Sequence, residues 1–196
     1  MRLAIVGGGN TVKDAPFDNP LYDIWTTASI AKTLPRVTTI FEFHSGEGLQ
    51  DPSVYAKASE VIYTSDFPIG QMVAHYGKIF PSSMNLIMAY AIDKGYKHIE
   101  LYGVDMALDS EYERFRPSFL YLIGYARGAG ITVEISEGSV LMADEKTYCY
   151  ERDIVRERIE KMRQDRASFT NTAREYELKA EYMRGAIDAA GFFSKI

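Results

Sequence analysis

Cysteine is all but missing from this chain. The sole one, Cys149, excludes an internal disulfide framework and any multi-cysteine metal site. An intracellular compartment is therefore expected. No apolar run approaches the roughly 18 residues that span a bilayer. The opening MRLAIVGGGN lacks the long apolar stretch of a signal peptide, so no membrane partner is expected. Basic charge is scarce as well: 22 Lys and Arg face 27 Asp and Glu, for a net charge of −5. Direct DNA binding needs a concentrated basic face and is not expected. The three histidines show neither H-x₃-H nor H-E-x-x-H spacing, and no metal site is expected from them.

What remains is ordinary material for a core. The chain has 196 residues, 46% hydrophobic and 25% charged, enough for one globular domain with an appendage. The charge is unevenly divided. Residues 1–150 carry 12 basic and 18 acidic side chains, net −6, and residues 151–196 carry 10 and 9, net +1. An anionic ligand of the first part must rely on backbone amides and a few placed groups, not on a general positive field.

Residues 2–6, RLAIV, form an apolar run that stops at Gly7-Gly8-Gly9. That pattern predicts a buried parallel strand entering a tight loop. Further strands are expected at Tyr22–Thr27, Val37–Phe43, Val61–Thr64, His98–Tyr102 and Ile131–Ile135. Helices are expected at Ala28–Leu34, Pro52–Ala58, Ser82–Lys94 and from about Pro117 to Arg127, the last ending at Gly128 or Gly130. The alternation predicts an α/β fold, a Rossmann-like doubly wound and mostly parallel sheet, over residues 1–150. Ligands of such sheets sit outside the carboxyl ends of the strands.

Residues 151–196 follow another rule. Val155, Ile159, Met162, Arg166, Phe169, Ala173, Tyr176, Ala180, Met183, Ile187 and Ala190 recur at alternating spacings of 4 and 3. This heptad seam predicts a long C-terminal helix of coiled-coil type and self-association through residues 155–190. A helical hairpin is the alternative, with Thr172–Glu175 as a capping box. A turn would break the heptad phase, and the phase is continuous.

The strand ends hold the candidate chemistry. Gly7, Gly8, Gly9, Asn10 and Thr11 form a loop whose amides and side chains suit phosphate oxygens; a tight strand exit is the plain alternative. Neither G-x-G-x-x-G nor the P-loop pattern is met. Ser82 and Ser83 open the clearest helix, where hydroxyls bind an anion or simply cap the helix. Gly103 and Asp105 follow an expected central strand, where Asp105 suits a ribose hydroxyl, a cation or a loop cap. Glu42 and His44 share one side of their strand, and His44 is a candidate acid/base or an ordinary surface histidine. Tyr112, Arg114 and Arg116 stand in a stretch that closes over a ligand or is a solvated loop. Ser139 follows the last strand. The cofactor stays open, with a divalent cation beside a nucleotide as the one considered.

A resemblance emerges from these residues. LAIVGGGNTVKD resembles the first-strand signature of the Campylobacter-type bacterial sialyltransferases, an apolar strand followed by G-N-G-P-S-L-K. Ser82-Ser83-Met84, Ala89-Tyr90-Ala91 and the run Gly95–Asp105 are similar to their T-S-G…A-x-A-x-x-G-Y-K-E-I-x-L-x-G-I-D. The archaeal hydroxymethylpterin pyrophosphokinase family shares the pattern. A closer resemblance is to small proteins of tailed bacteriophages carrying the glycine loop, F-E-x-H, Y-G-V-D-M and I-G-x-A-R-G-x-G-I. These segments lie between residues 2 and 142 and imply a Rossmann-like nucleotide site in a protein of the infected host's cytoplasm. The resemblance puts Gly7, Gly8, Gly9 and Thr11 at nucleotide phosphates and ribose, with Ser82, Ser83, Asp105 and Ser139 around the nucleotide. It departs at Gly8, Asn10 and Met84, where the motif has Asn, Pro and Gly. The sialyltransferase histidine before the last core helix has no counterpart. His44 or Tyr112 is then expected to move the proton and Arg116 to stabilise a leaving phosphate. The function expected is binding of a nucleotide ligand, either as a transferase on a nucleotide-activated substrate or as a counter-defence protein that sequesters a nucleotide signal. A coiled-coil scaffold with a vestigial site is the third reading.

Overall fold

The computed structural model describes residues 2–44, 51–106, 110–142 and 152–193. The chain divides into two compact units, Met1–Ala143 and Asp144–Ile196. The first is an α/β unit. Its strands are β1 (Arg2–Val6), β2 (Tyr22–Thr27), β3 (Thr39–Glu42), β4 (Glu60–Tyr63), β5 (His98–Tyr102) and β6 (Thr132–Ile135). They form one sheet in the order β4-β3-β2-β1-β5-β6. All five pairings are parallel. The chain winds outward from β1 to β4, then returns to lay β5 against the other side of β1. The strand order reverses between β1 and β5, and a reversal leaves a crevice at the carboxyl ends.

Both faces of the sheet are dressed. Leu3, Ile5, Ile99, Leu101 and Val133 face the helices α4 (Ser83–Asp93) and α5 (Ser110–Gly128). Phe119 and Leu122 of α5 and Ile87 and Met88 of α4 are completely buried there. Each such side chain contributes about 1.5–3 kcal/mol. Trp25 ties α4 to the sheet, with ring centroids 5.7 Å from Tyr90 and 5.3 Å from Phe41. On the opposite face, Ala4, Val6, Ile24 and Ile40 pack with the short helix α1 (Ala28–Ala31) and with Leu34. The alternation in β1 sends its odd and even residues to these two layers.

Helix ends follow their local chemistry. Ser82 caps α4 and accepts from the Asn85 N–H. After α5, Gly130 takes φ +78°, its N–H reaching the Arg127 carbonyl at 3.0 Å while the Ile131 N–H reaches that of Ala126 at 2.9 Å. Those two bonds are the Schellman closure, and glycine carries its left-handed residue without strain.

Four departures from the sequence reading stand out. Helix α5 begins at Ser110, not near Pro117, so Pro117 lies inside it. Proline ordinarily ends a helix because it lacks an N–H. Here Phe119, Leu122 and Ile123 bury the following turns against the sheet, and packing prevails over propensity. Helix α3 (Ile69–Tyr76) was not expected; it has only eight residues and includes Gly70, which weakens its periodicity. A 3₁₀ turn, Asn10–Asp14, follows the glycine loop. Helix α2 is short, Pro52–Tyr55.

The second unit contains α6 (Arg152–Phe193), one continuous helix of 42 residues and about 63 Å. The hairpin alternative is thereby removed. Among the described residues no helix is long and apolar enough to cross a membrane.

Candidate functional site

A cavity of about 430 Å³ opens at the carboxyl ends of β1 and β5. Its floor is a mutual clasp of glycines. The Gly7 N–H donates to the Tyr102 carbonyl at 2.7 Å, and the Gly9 N–H to that of Gly103 at 2.8 Å. A side chain has no room here: a Cβ on Gly7 would overlap the Gly103 carbonyl, and one on Gly9 the Asp105 carboxylate. Gly103 itself sits at φ +62°. Gly8 differs, because a Cβ there would meet only Ile30, at 4.0 Å. The loop was expected to offer all its amides to a phosphate. The structure commits those of Gly7 and Gly9 to β5 and leaves Gly8 as the exposed glycine facing the cavity.

Thr11 has a different place from the one expected. Its hydroxyl oxygen accepts from the Gly103 N–H and from the Ser136 hydroxyl, both at 2.7 Å, and the residue is buried. It staples β1's loop to the ends of β5 and β6 and does not line the cavity. Asn10 is exposed and does not line it either.

Asp105 does line it, next to Gly9. The Ser139 hydroxyl donates to Asp105 Oδ1 at 2.8 Å, so Ser139 acts by fixing that carboxylate. Among the described lining residues Asp105 is the only carboxylate. A hard cation takes about six to eight oxygens. Asp105 alone does not fit as a protein-built cation site. The next residue, Met106, has φ +50°, a left-handed conformation that L side chains rarely adopt and that costs on the order of 1–3 kcal/mol. This strain sits on the cavity wall.

The wall opposite is the start of α4. Ser82 and Ser83 both line the cavity at the amino end of an 11-residue helix. The Ser82 hydroxyl also donates to Asn85 Oδ1 at 2.6 Å. Asn85 is fully buried and donates to Ser118 of α5 at 3.1 Å, so the helix end is anchored to its neighbour.

At the end of β3, His44 lines the cavity with its ring 64% exposed. Its ring Nδ1 lies 3.4 Å from Glu42 Oε1, and its backbone N–H donates to the same oxygen at 2.9 Å. Glu42 is only 1% exposed, and the Tyr55 hydroxyl donates to its second oxygen at 2.9 Å. An exposed imidazole backed by a held, buried carboxylate is the usual construction of a general base. Glu42 does not line the cavity; it stands behind His44.

The arginines fall elsewhere. Arg116 was expected at a leaving phosphate. Its Nε and Nη2 instead donate to the carbonyls of Leu141 at 2.6 Å and Val140 at 2.8 Å. The reason is the early start of α5, which places Arg114 and Arg116 on a helix rather than on a closing loop. Arg114 is exposed and does not line the cavity. The side chain of Tyr112 lies outside the described residues. No lysine or arginine lines the cavity among the described residues.

Phe115, in the expected closing stretch, lines the cavity, and so do Thr27 and Ser29, which were not among the candidates. Thr27 and Ser29, with hydroxyls 3.2 Å apart, stand where β2 runs into α1. The rule of inspecting each strand's carboxyl end would have found them had it been applied to β2.

No protein-family model matches this chain, and no curated protein matches it. Solved structures similar to it include two of a sialyltransferase. One is the sialyltransferase CST-II in complex with a trisaccharide acceptor and CMP, with TM-score 0.41 and 13% identity. The other is monomeric CstII, with TM-score 0.42 and 13% identity. Each likeness covers 69% of this chain and 80% of the other.

Proposed function

We propose that the β1–β5 cavity binds a nucleotide-derived small molecule. One observation carries this reading. The cavity lies where the strand order reverses, and it brings an open glycine, a helix amino end with two serines and one fixed carboxylate around a single space. The glycine and the helix end suit phosphate oxygens, and Asp105 suits a sugar hydroxyl. With no lysine or arginine on the described walls, the ligand is one of low charge, closer to a monophosphate ester than to a triphosphate. Gly8→Val tests this. The position has space, so the fold should persist, while the isopropyl group enters the ligand's volume. Expected is a more than tenfold loss of affinity for nucleoside monophosphates or their sugar esters, read by calorimetry, with unchanged circular dichroism. Unchanged affinity would move the ligand elsewhere.

In this reading the protein is a transferase on a nucleotide-activated substrate, with His44 accepting the acceptor's proton and Glu42 holding the imidazole. A second reading is favoured by Arg116. Its guanidinium is engaged by two carbonyls, so no described cation awaits a leaving phosphate. That arrangement suits a protein that sequesters the nucleotide intact. Mass spectrometry of the bound molecule before and after incubation separates the two: product supports transfer, and unchanged ligand supports sequestration.

Helix α6 adds self-association. Its seam is uncovered, with Phe169 73%, Tyr176 67% and Ile187 70% exposed. The heptad phase runs unbroken from Val155 to Ala190, and flanking pairs such as Lys179 with Glu175 at 2.8 Å leave the seam apolar but for Arg166. The occupant we assign is the same helix of a second copy. Light scattering should find the protein at a multiple of 22.1 kDa, and Phe169→Asp with Tyr176→Asp should return it to the single-chain mass. A wild-type monomer at micromolar concentration would contradict the assignment.

A further inference from the structure

The β5–β6 edge carries a second set of groups, on the sheet face turned away from α4 and α5. Parallel pairing sets Glu100 directly across from Glu134. His98 stands two residues before Glu100 and so shares its face. His98 Nε2 lies 2.8 Å from Glu100 Oε1 and 3.5 Å from Glu134 Oε1. One ligand atom from each of the three lies within 4.8 Å of the others. In a tetrahedral zinc site with bonds of about 2.0–2.2 Å, ligand atoms sit roughly 3.3–3.5 Å apart. The His98–Glu134 separation already has that value. The His98–Glu100 pair needs to open by about half an ångström, with the ion replacing the proton between them.

The surroundings are built for a fixed carboxylate. Glu100 is only 7% exposed. The Tyr22 hydroxyl donates to its Oε1 and the Tyr102 hydroxyl to its Oε2, each at 2.6 Å. Such outer hydrogen bonds orient a metal-binding carboxylate. Beside the three groups lies a cavity of about 570 Å³ whose walls include Asp14, Glu100, Glu134 and Glu137. It shares no lining residue with the β1–β5 cavity. The acidic walls favour a cation, and the open side leaves a fourth position to water.

We propose that His98, Glu100 and Glu134 bind a divalent transition metal of the zinc class at the β5–β6 edge. The mixed nitrogen and oxygen set selects such an ion over magnesium or calcium, which prefer oxygen alone. The inference does not depend on what the other cavity binds.

The test is calorimetric titration of the full chain, stripped with chelator, against zinc chloride and magnesium chloride. Expected is one zinc ion per chain with micromolar or tighter affinity, and magnesium at least a hundredfold weaker. His98→Ala and Glu134→Gln should each weaken zinc at least tenfold. The Glu134 side chain is 60% exposed, so that variant folds and keeps the test decisive. A thermal midpoint that rises with zinc in the wild type and not in either variant reports the same site independently. Absence of zinc binding, affinity retained in either variant, or equal affinity for magnesium overturns the proposal.

Discussion

Gly7→Ala should unfold the site's foundation, lowering stability by about 3–5 kcal/mol, the sum of an overpacked contact and lost hydrogen bonds. A methyl at this position would overlap the Gly103 carbonyl oxygen, and the carbonyl carbon and Val104 Cα lie just behind. Those are backbone atoms of β5's exit and cannot swing aside as a side chain can. Relief would require β1 and β5 to part, which breaks the Gly7 and Gly9 bonds to Tyr102 and Gly103. At roughly 2–4 °C per kcal/mol for a chain of this size, the melting midpoint should fall by about 6–20 °C. Gly8→Ala is the internal control, because its Cβ meets only one distant side-chain atom. Its midpoint should stay within a degree or two. Equal losses at the two positions would show that the clasp is not what matters.

His44→Ala is expected to lower turnover about 10²–10⁴-fold, the usual contribution of a positioned general base. The substrates are a panel of CMP-sugars, whose single phosphate suits described walls that carry no lysine or arginine. The imidazole is largely exposed and its removal opens no core cavity, so the melting midpoint should be retained. The KM for the nucleotide donor should hold while kcat falls, since the role assigned is proton transfer and not binding. Glu42→Gln should give part of the same loss, because the carboxylate orients the ring without touching substrate. A His44→Ala variant as fast as the wild type would remove His44 from the proposed mechanism.

Polarity inside the fold has a physical logic of its own. Burial alone would raise the Glu100 carboxyl, yet hydrogen bonds from Tyr102, Tyr22 and His98 outweigh it and hold the group below the ordinary carboxylate value. Burial first, then the neighbouring Glu100 carboxylate, push the Tyr102 hydroxyl above its ordinary value. Each partner keeps the other in its neutral-pH form, and a buried charge is tolerated when it is fully hydrogen-bonded.

The parts of the fold legible in sequence are those fixed by local pattern. RLAIV before three glycines, the His98–Tyr102 strand and the Ser82–Lys94 helix each combine an apolar period with a stop signal, and each appears within a residue or two of its expected bounds. The continuous heptad spacing likewise predicts one helix over the tail, and α6 is one helix. What was not legible depends on pairing across distance. The capture of Thr11 by Gly103 and Ser136 spans 92 and 125 residues. The meeting of Glu100 and Glu134 follows from strand register, and no spacing motif encodes it. Arg116 reads as a ligand arginine in a loop only if Pro117 starts a helix. Buried side chains beyond Pro117 decide that it does not.

The return of the chain to β1 also sets an order of assembly. Leu3 pairs with Ile99 and Val6 with Tyr102, so the central strand waits about a hundred residues for its second neighbour. On a ribosome adding about 5–20 residues per second, β1 through β4 can associate seconds before β5 emerges. During that interval one edge of β1, with Gly7 and Gly9, is an unpaired template for any passing strand. Closing so long a loop is slow, and contacts of this separation form late. The cavity at the carboxyl ends of β1 and β5 is thus a late feature of the sheet, with only the β5–β6 pairing still to follow. A molecule that binds there would act on the nascent protein as a clamp on that late closure.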